Sequence, residues 1–220
     1  MPNKVLTEEE VVSEIQDGMT IGVGGWGSRR KPMSLIRAII RAGRKDLTIV
    51  SYGGPEIGLL AATGQLRRAV YGFVSLDSIP LEPHFRIARQ TGSIIATEFD
   101  EGAFYLGLLA ASHRVPFYPT RAGLGSDMLK MNPELKVISS PYSDANGEYE
   151  QLVAIPAFDI DVSLIQSSTK LSLSAKPKQT PRALKEPHGA LQALPLLWLR
   201  LPRFVERVCF LVKVGGLPRE

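Results

Sequence analysis

Short runs of β-prone apolar residues alternate with helix-like segments along the first 165 residues, and this alternation limits the folds open to the chain. Residues 19–23 form one apolar run, and after Pro32 apolar side chains recur at helical spacing. Residues 47–50 are again β-prone and are followed by a helix-like stretch at 57–63. Strands that alternate with helices are typical of α/β domains. We therefore expect an α/β domain with a mainly parallel sheet and helices on both faces.

The predicted strands lead into turns that are rich in glycine and polar residues. A capping box from Thr7 to Glu10 predicts the first helix, which should end near Asp17. The strands are predicted at residues 19–23, 47–50, 69–74, 93–97, 115–118, 136–138, 152–155 and 161–165, and the later helices after Pro32 and at 57–63, 82–90 and 101–113. Ligands of parallel sheets bind beyond the carboxyl ends of the strands. We therefore expect the turns at 22–31, 52–55, 75–78, 98–102 and 121–127 to converge on one edge.

The composition excludes several classes of protein. The chain has 220 residues, 44% of them hydrophobic, which allows one domain with a sizeable core, with or without an appendage. Residues 170–220 contain ten Lys and Arg and three acidic residues, whereas the rest of the chain contains 16 Lys and Arg and 19 acidic residues. The basic character therefore belongs to the tail, and nucleic-acid binding is not indicated. One cysteine and three scattered histidines predict neither a disulfide nor a metal site. With no bilayer-length apolar run and no signal-peptide pattern, we expect a cytoplasmic protein without a membrane partner.

Four glycines and three cations lie within a single turn, "GVGGWGSRRKP". Gly24, Gly25 and Gly27 can present main-chain N–H groups to a phosphate or a thioester oxygen without obstruction by side chains. The spacing from Gly22 also satisfies a dinucleotide-binding fingerprint, but Asp46 precedes its strand instead of ending it. An ordinary strand-to-helix turn explains the same glycines.

The cations beside this turn are candidates for an anion site. Arg29, Arg30 and Lys31 could bind a phosphate or a carboxylate, for which arginine is suited by its two parallel N–H groups. Arg121 repeats the pattern in "RAGLGSD". A solvated charge run before a helix is the alternative for the first group, and a surface loop for Arg121.

Three carboxylates cluster at the start of a predicted helix in "TEFDEGA". Acidic residues in a first helical turn are favoured by the helix dipole, which is sufficient to explain any one of them. The functional alternative is that one of Glu98, Asp100 and Glu101 is a general base or a carboxylate nucleophile. His84 and His113 have no partner nearby in the sequence and are interpreted as structural.

The quoted segments, together with "DLTIVSYGGPEIGLL", "YGFVSLDS" and "FDEGAFYLGLLAA", resemble the alpha subunit of the family I coenzyme A transferases, of the glutaconate-transferase type. Within that family the likeness is greatest to the branch with the alpha subunit of the steroid ring-opening hydrolase, and it covers residues 1 to about 166. It implies a coenzyme A transferase-like α/β fold and a separate beta subunit. It also implies that the substrate is an acyl-CoA. Coenzyme A then takes part as a substrate, and no cofactor is permanently bound.

The resemblance also assigns roles to residues. In the transferases the attacking glutamate belongs to the beta half, and this chain has no Ser-Glu-Asn-Gly-like motif to match it. In the hydrolase branch a glutamate of the alpha subunit is catalytic, and the matching position predicts Glu101, with Glu98 second. Substrate and coenzyme A contacts are predicted at Gly24, Gly25, Trp26, Gly27, Arg29, Arg30, Lys31, Gly53, Gly54 and Arg121.

The resemblance ends before the chain does. We predict an incomplete α/β domain at residues 1–168 and a basic tail at 169–220, which has six prolines where the family continues with Ala-Asp-x-x-Gly-Asn and further strands. A reading-frame change near Lys170 is our hypothesis for this difference, which sequencing of the gene tests. CoA transfer between carboxylic acids is the predicted activity. Hydrolytic ring opening of a steroid-derived thioester, or a non-catalytic or truncated subunit, is the alternative.

Overall fold

A computed structural model describes residues 6–167 and a strand at 208–213. The first helices and strands are α1 (Glu8–Ser13), β1 (Thr20–Trp26), α2 (Met33–Arg41), β2 (Leu47–Gly53), α3 (Pro55–Ala62), β3 (Leu66–Val74), α4 (Pro83–Thr91) and β4 (Ile95–Glu98). They are followed by α5 (Glu101–His113), β5 (Phe117–Thr120), α6 (Met128–Met131), β6 (Lys136–Ser139), β7 (Gln151–Pro156), β8 (Val162–Ser167) and β9 (Val208–Lys213). The rest of the predicted tail lies outside the described residues.

The main sheet has six strands in the order β4-β3-β2-β1-β8-β9. The first five of these are parallel, and β9 pairs antiparallel with β8 at the edge. All seven residues of the central strand β2 are buried, because helices or a second sheet cover both faces. The predicted α/β architecture with a mainly parallel sheet is confirmed. Strand β9 belongs to this sheet although it lies in the segment predicted as tail.

A second, three-stranded sheet has the order β5-β7-β6 and is antiparallel throughout. Parallel pairing of these strands would need a long crossover. The connections hold a four-residue helix between β5 and β6 and a turn-rich segment between β6 and β7. The turn at 121–127 therefore follows a strand of the second sheet, and the expectation that all five turns follow strands of one parallel sheet is wrong for this turn.

Two clusters of buried side chains lie on opposite faces of the main sheet. One cluster joins helices α1 to α4 to the sheet and contains Tyr71 and Phe85. The other joins α5 and the second sheet to it and contains Tyr52 and Phe104. Side chains on opposite faces of the main sheet therefore pack against different helices, and this applies to the candidate carboxylates described below.

The first residues of α1 and α5 follow side-chain capping. Thr7 and Glu10 form the predicted capping box, with hydrogen bonds of 3.2 and 2.7 Å to each other's main chain. Helix α1 nevertheless ends at Ser13, earlier than predicted, and Asp17 instead accepts a hydrogen bond from the Lys45 amide. Helix α5 spans the predicted residues, and its N-cap is the side chain of Asp100.

Candidate active site

The carboxyl ends of the parallel strands bring together a cluster of aromatic rings. Trp26 at the end of β1 lies 4.9 Å from the ring of Tyr52 and 4.8 Å from that of Phe73, between ring centroids. The Tyr52 ring in turn lies 4.6 Å from Phe104 of helix α5. The glycine turn after β1 and the start of α5 therefore share one aromatic wall.

The glycine turn is closed by its own main chain. The Trp26 amide donates to the Arg29 carbonyl at 3.1 Å, and the Arg29 amide donates to the Trp26 carbonyl at 2.8 Å. Gly25 has a φ of +96°, and a Cβ there would collide with the Arg29 carbonyl oxygen. Only glycine fits this position. Gly24 lies within β1, beside the main chain of Leu164 in β8.

A second glycine turn packs directly on the first. A Cβ at Gly54 would collide with the Gly27 carbonyl oxygen, so the two main chains touch there. Gly53 is equally confined, since a Cβ there would lie 2.7 Å from the Phe73 carbonyl oxygen. These two predicted binding residues therefore allow close packing of main chains.

Glu101 lies at the same edge as the glycine turn. The Tyr52 hydroxyl donates to the main-chain carbonyl oxygen of Glu101 at 3.0 Å. A Cβ at Gly72 would lie 3.2 Å from the Tyr52 ring and 3.7 Å from the Glu101 Cα, so the start of α5 lies over β3. Burial raises the pKa of Tyr52, with a further contribution from the negative charge of Glu101, so the hydroxyl stays a donor.

The acidic residues of "TEFDEGA" have different environments. Asp100 accepts hydrogen bonds from the amides of Gly102 and Ala103 and acts as the helix cap. Glu98 forms an ion pair of 3.0 Å with Arg89 and accepts a hydrogen bond of 3.1 Å from Tyr71, on the α4 face of the sheet. Glu101, on the α5 side, is exposed. The two glutamates predicted as catalytic are therefore not neighbours in one pocket.

The two arginines of the turn differ in their partners. Arg29 pairs with Asp77 at 3.1 Å, which joins the glycine turn to the turn after β3. Hydrogen bonds from Ser28 and Arg29 lower the pKa of Asp77. Arg30 is exposed and has a φ of 56°, and its side chain makes no hydrogen bond or ion pair within the described residues. Arg30 therefore presents its guanidinium to solvent.

Lys31 lies beneath the turn and is buried. Its ammonium contacts Oε1 of Glu56 at 2.8 Å, and both side chains are fully buried. It also donates to Oγ of Ser51 at 2.7 Å and to the carbonyl of Tyr52 at 2.6 Å. Burial lowers the pKa of Lys31, and the charge of Glu56 opposes this effect. The positive charge of Lys31 is thus balanced inside the domain.

Arg121 lies in the turn after β5 and makes a two-pronged ion pair with Glu150, at 2.6 and 2.9 Å. The strand before it belongs to the second sheet, whereas the glycine turns and Glu101 follow strands of the main sheet. The sequence pattern therefore groups Arg121 with residues that the topology assigns to a different sheet.

Two residues of this edge are not singled out by the sequence pattern. Glu56 precedes Leu60 by four positions, so it lies on the buried face of helix α3, and a charge at a core position is the signal that identifies it. Tyr52 precedes the second glycine turn and is 5% exposed. A tyrosine at the carboxyl end of a central strand is the corresponding signal there.

Metal ligands and membrane helices are both absent from the described part of the chain. Within residues 6–167 and 208–213, no group of three His, Cys, Asp or Glu side chains is placed to hold a metal ion. No helix among these residues has the length and apolar character needed to cross a membrane. His113, the last residue of α5, contacts the Tyr118 hydroxyl at 2.5 Å.

Comparison with known families identifies related sequences. The sequence model of the family described as Coenzyme A transferase matches residues 5–182, which extends past the predicted domain boundary at 168. The chain is 51% identical over 165 residues to the cholesterol ring-cleaving hydrolase IpdA subunit of Rhodococcus jostii, covering 74% of this chain and 56% of that protein. It is 30% identical over 170 residues to one of the 3-oxoadipate CoA-transferase subunits of Pseudomonas knackmussii, covering 74% and 58%. The chain thus spans less than two thirds of these relatives.

Solved structures show the same fold. Glutaconate coenzyme A-transferase from Acidaminococcus fermentans superposes with a TM-score of 0.66 at 22% identity, covering 73% of this chain and 55% of that one. A variant of the decarboxylase AibA/AibB superposes with a TM-score of 0.62 at 29% identity, covering 72% and 60%. The domain therefore has the fold that the resemblance implied.

Proposed function

The chain belongs to the coenzyme A transferase family, and from this membership we propose that it is the alpha subunit of an enzyme that acts on an acyl-CoA thioester. Coenzyme A is then a substrate and not a resident cofactor. The relatives named above are themselves called subunits, which supports a partner subunit for this chain. We propose a beta subunit of the same enzyme as that partner.

One observation carries the proposal: Tyr52 contacts both the glycine turn and the start of α5. Its ring packs on Trp26, and its hydroxyl bonds the main chain of Glu101. A ligand at this edge would meet main-chain donors of the glycine turn on one side and the Glu101 carboxylate on the other. Attack on a thioester carbonyl or on a ring carbonyl of the acyl group could use that pairing, because negative charge develops on the carbonyl oxygen while a carboxylate attacks or takes a proton.

We assign Glu101 as the catalytic carboxylate and Glu98 as a structural partner of Arg89. Both glutamates are exposed, but Glu98 is held by an ion pair and a hydrogen bond on the opposite face of the sheet. The amides of Gly25 and Gly27 are proposed to stabilise negative charge on the oxygen of the carbonyl that is attacked. Arg30, with its exposed guanidinium, is proposed to bind a phosphate of coenzyme A or a carboxylate of the acyl group.

Two chemistries are compatible with this site. In hydrolytic ring opening, Glu101 would take a proton from a water molecule that adds to a ring carbonyl. The ring C–C bond next to that carbonyl would then break, its released carbon would take up the proton, and the carbonyl carbon would become a carboxylate, so the thioester would survive. In CoA transfer, the thioester bond breaks and a new one forms on an acceptor acid. The 51% identity to a ring-cleaving hydrolase subunit, against 30% to a transferase subunit, favours ring opening of a steroid-derived thioester.

The Glu101 assignment is tested with Glu101→Gln in the full chain assembled with its partner subunit. We expect turnover to fall by about a hundredfold or more, because a positioned acid or base contributes that much, with assembly unchanged. Glu98→Gln is the matched control and should keep turnover near that of the parent. A Glu101→Gln variant that keeps at least about a third of parent turnover, well outside the range expected for loss of such a group, contradicts the assignment.

The chemistry is tested by incubating the assembled pair with a steroid-derived CoA thioester, with and without an acceptor acid. Ring opening predicts a product that retains its thioester and forms without the acceptor. Transfer predicts a second acyl-CoA that appears only with the acceptor. A pair that forms neither product would contradict the proposed function.

A further inference from the structure

A buried ion pair lies beneath the glycine turn, and the chemistry proposed above does not use it. Lys31 and Glu56 are both fully buried and lie 2.8 Å apart. Burying two charges costs several kcal/mol for each ion, and replacing such a pair with apolar residues is often neutral or stabilising. Stability alone is therefore a poor explanation for a charged pair at this place.

The Lys31 ammonium and one carboxylate oxygen of Glu56 are fully hydrogen-bonded. The three N–H groups of Lys31 match three acceptors: Oε1 of Glu56, Oγ of Ser51 and the carbonyl oxygen of Tyr52. Oε1 of Glu56 also accepts from the Ser51 hydroxyl at 2.7 Å and from the Gly54 amide at 3.2 Å. The network therefore fixes the end of β2 and the start of α3 in one arrangement.

The second oxygen of Glu56 lies where the two glycine turns touch. Oε2 is buried and has no hydrogen-bond partner within the described part of the chain. A Cβ at Gly54 would lie 3.2 Å from this oxygen and would collide with the Gly27 carbonyl oxygen. The carboxylate is thus placed beside the contact between Gly54 and Gly27.

Lys31 also ends the glycine turn in the chain. The Trp26 and Arg29 main chains close the turn, and Lys31 follows before helix α2. Its main chain moves with the turn, while its side chain is bound at the end of β2. A shift of the turn away from β2 would break the Lys31 hydrogen bonds.

We propose that the Lys31–Glu56 pair is a positioning device that sets the distance between the glycine turn and the end of β2. It holds the main-chain donors of Gly25 and Gly27 in register with Tyr52, and through Tyr52 with Glu101. Lys31 and Glu56 act on catalysis through this main chain and do not touch the substrate. The kinetic part of this inference rests on the proposed function.

The fluorescence of Trp26 reports on the position of the glycine turn without a measurement of activity. The sequence has two tryptophans, Trp26 and Trp198, so Trp198→Phe in the full chain leaves Trp26 as the sole tryptophan. In this background we compare Lys31→Met, Glu56→Leu and the double variant. Lys130→Met is the control, because it removes the same charge from an ion pair with Asp127 in which both side chains are 81% exposed.

We expect each single variant to lower Tm by about 10 °C, because one buried charge is left unpaired. The double variant should recover most of that Tm, since neither charge remains. All three should show a red-shifted Trp26 emission and stronger quenching by acrylamide, including the double variant. Lys130→Met should leave both readings unchanged.

The kinetic readout uses the full chain assembled with its partner subunit. We expect kcat of the double variant to stay about a hundredfold below the parent although its Tm is recovered, because a small displacement of reacting groups has that effect. KM should rise by less than kcat falls, because Arg30 moves with the turn but keeps its charged side chain in solvent. If a single variant fails to fold, the double variant decides.

The outcomes separate the two proposals. A double variant that recovers Tm, Trp26 protection and kcat together would reduce the pair to a stabilising contact and overturn the inference. Unchanged Trp26 fluorescence in every variant would also overturn it. A parent that converts no acyl-CoA by ring opening or by transfer, with the Trp26 response as expected, would contradict the proposed function and leave the positioning role standing.

Discussion

The Tyr52 hydroxyl and the Glu101 main-chain carbonyl, 49 positions apart in sequence, are joined by a hydrogen bond of 3.0 Å. Tyr52 is the last residue but one of a central strand, and Glu101 begins a helix that packs on the same face of the sheet. The bond therefore ties the first turn of α5 to the strand that carries the second glycine turn. The position of the Glu101 carboxylate depends on this connection.

Removal of this bond by Tyr52→Phe should lower both stability and turnover. The Glu101 carbonyl loses a donor that is partly shielded from water, so the free energy of unfolding should fall by about 1 kcal/mol. Turnover should fall by about tenfold as the Glu101 carboxylate loses its fixed position. Urea unfolding and steady-state kinetics of the assembled enzyme measure the two effects.

Tyr71→Phe is the matched control, because its hydroxyl bonds Glu98 on the other face of the sheet. It should cost a similar free energy and leave kcat near that of the parent. Equal losses of kcat in the two variants would show that the effect is a general loss of stability and not a property of the Glu101 edge.

Arg30→Gly should separate stability from binding. Arg30 has a φ of 56°, a left-handed conformation that costs a non-glycine residue about 1 kcal/mol, so glycine should raise the free energy of unfolding by about 0.5 kcal/mol after its own entropic cost. The lost guanidinium should raise KM for the acyl-CoA about tenfold, since a charge-assisted hydrogen bond contributes roughly 1.5 kcal/mol. Arg30→Lys keeps a positive charge, so it should raise KM less than Arg30→Gly does. It should also raise the free energy of unfolding less than Arg30→Gly does. A Gly variant with unchanged KM would remove Arg30 from the anion site.

Stability should fall above about pH 10, where tyrosines of the unfolded chain lose their protons. Burial, with the negative charges of Glu101 and Glu98 respectively, raises the pKa of Tyr52 and of Tyr71 in the folded state. The folded chain then binds more protons than the unfolded one, so stability is complete below the unfolded pKa and declines as pH rises, by up to about 1.4 kcal/mol per pH unit for each tyrosine.

Urea midpoints measured from about pH 8 to about pH 11 test this slope. The lowered pKa of Lys31 acts in the opposite direction, so the comparison is made between parent and Tyr71→Phe, which should decline less steeply. Tyr142 is 82% exposed, and Tyr142→Phe should follow the parent. A Tyr71→Phe variant as steep as the parent would contradict the prediction.

Local signals in the sequence are sufficient for much of the fold. The alternation of apolar runs and helical segments predicts the parallel sheet, and the Thr7 capping box and the carboxylates of "TEFDEGA" predict where α1 and α5 begin. Which strands pair with each other is decided by contacts between residues distant in sequence. The sequences of β5, β6 and β7 therefore do not predict that these strands form a second sheet.

The candidate site is likewise predicted only in part by the sequence. The glycine turn and the acidic helix start can be found from composition and position, and the structure brings both to Tyr52. The three cations look alike in the sequence, but one pairs with Asp77, one faces solvent and Lys31 is buried. The difference depends on Glu56, which lies 25 positions away and whose burial follows from helix packing. Roles for Glu101 and the turn remain predictions for the experiments above.

The contact between Gly54 and the Gly27 carbonyl also limits how this edge can diversify. A single added methyl group at Gly54 collides with main chain, which cannot retreat as a side chain can. Descendants of this chain that accept a different acyl group must therefore conserve Gly54. Their substrate preference is free to change at Arg30, whose side chain is exposed and makes no hydrogen bond or ion pair within the described residues. Substitutions that alter specificity should therefore be found at this position.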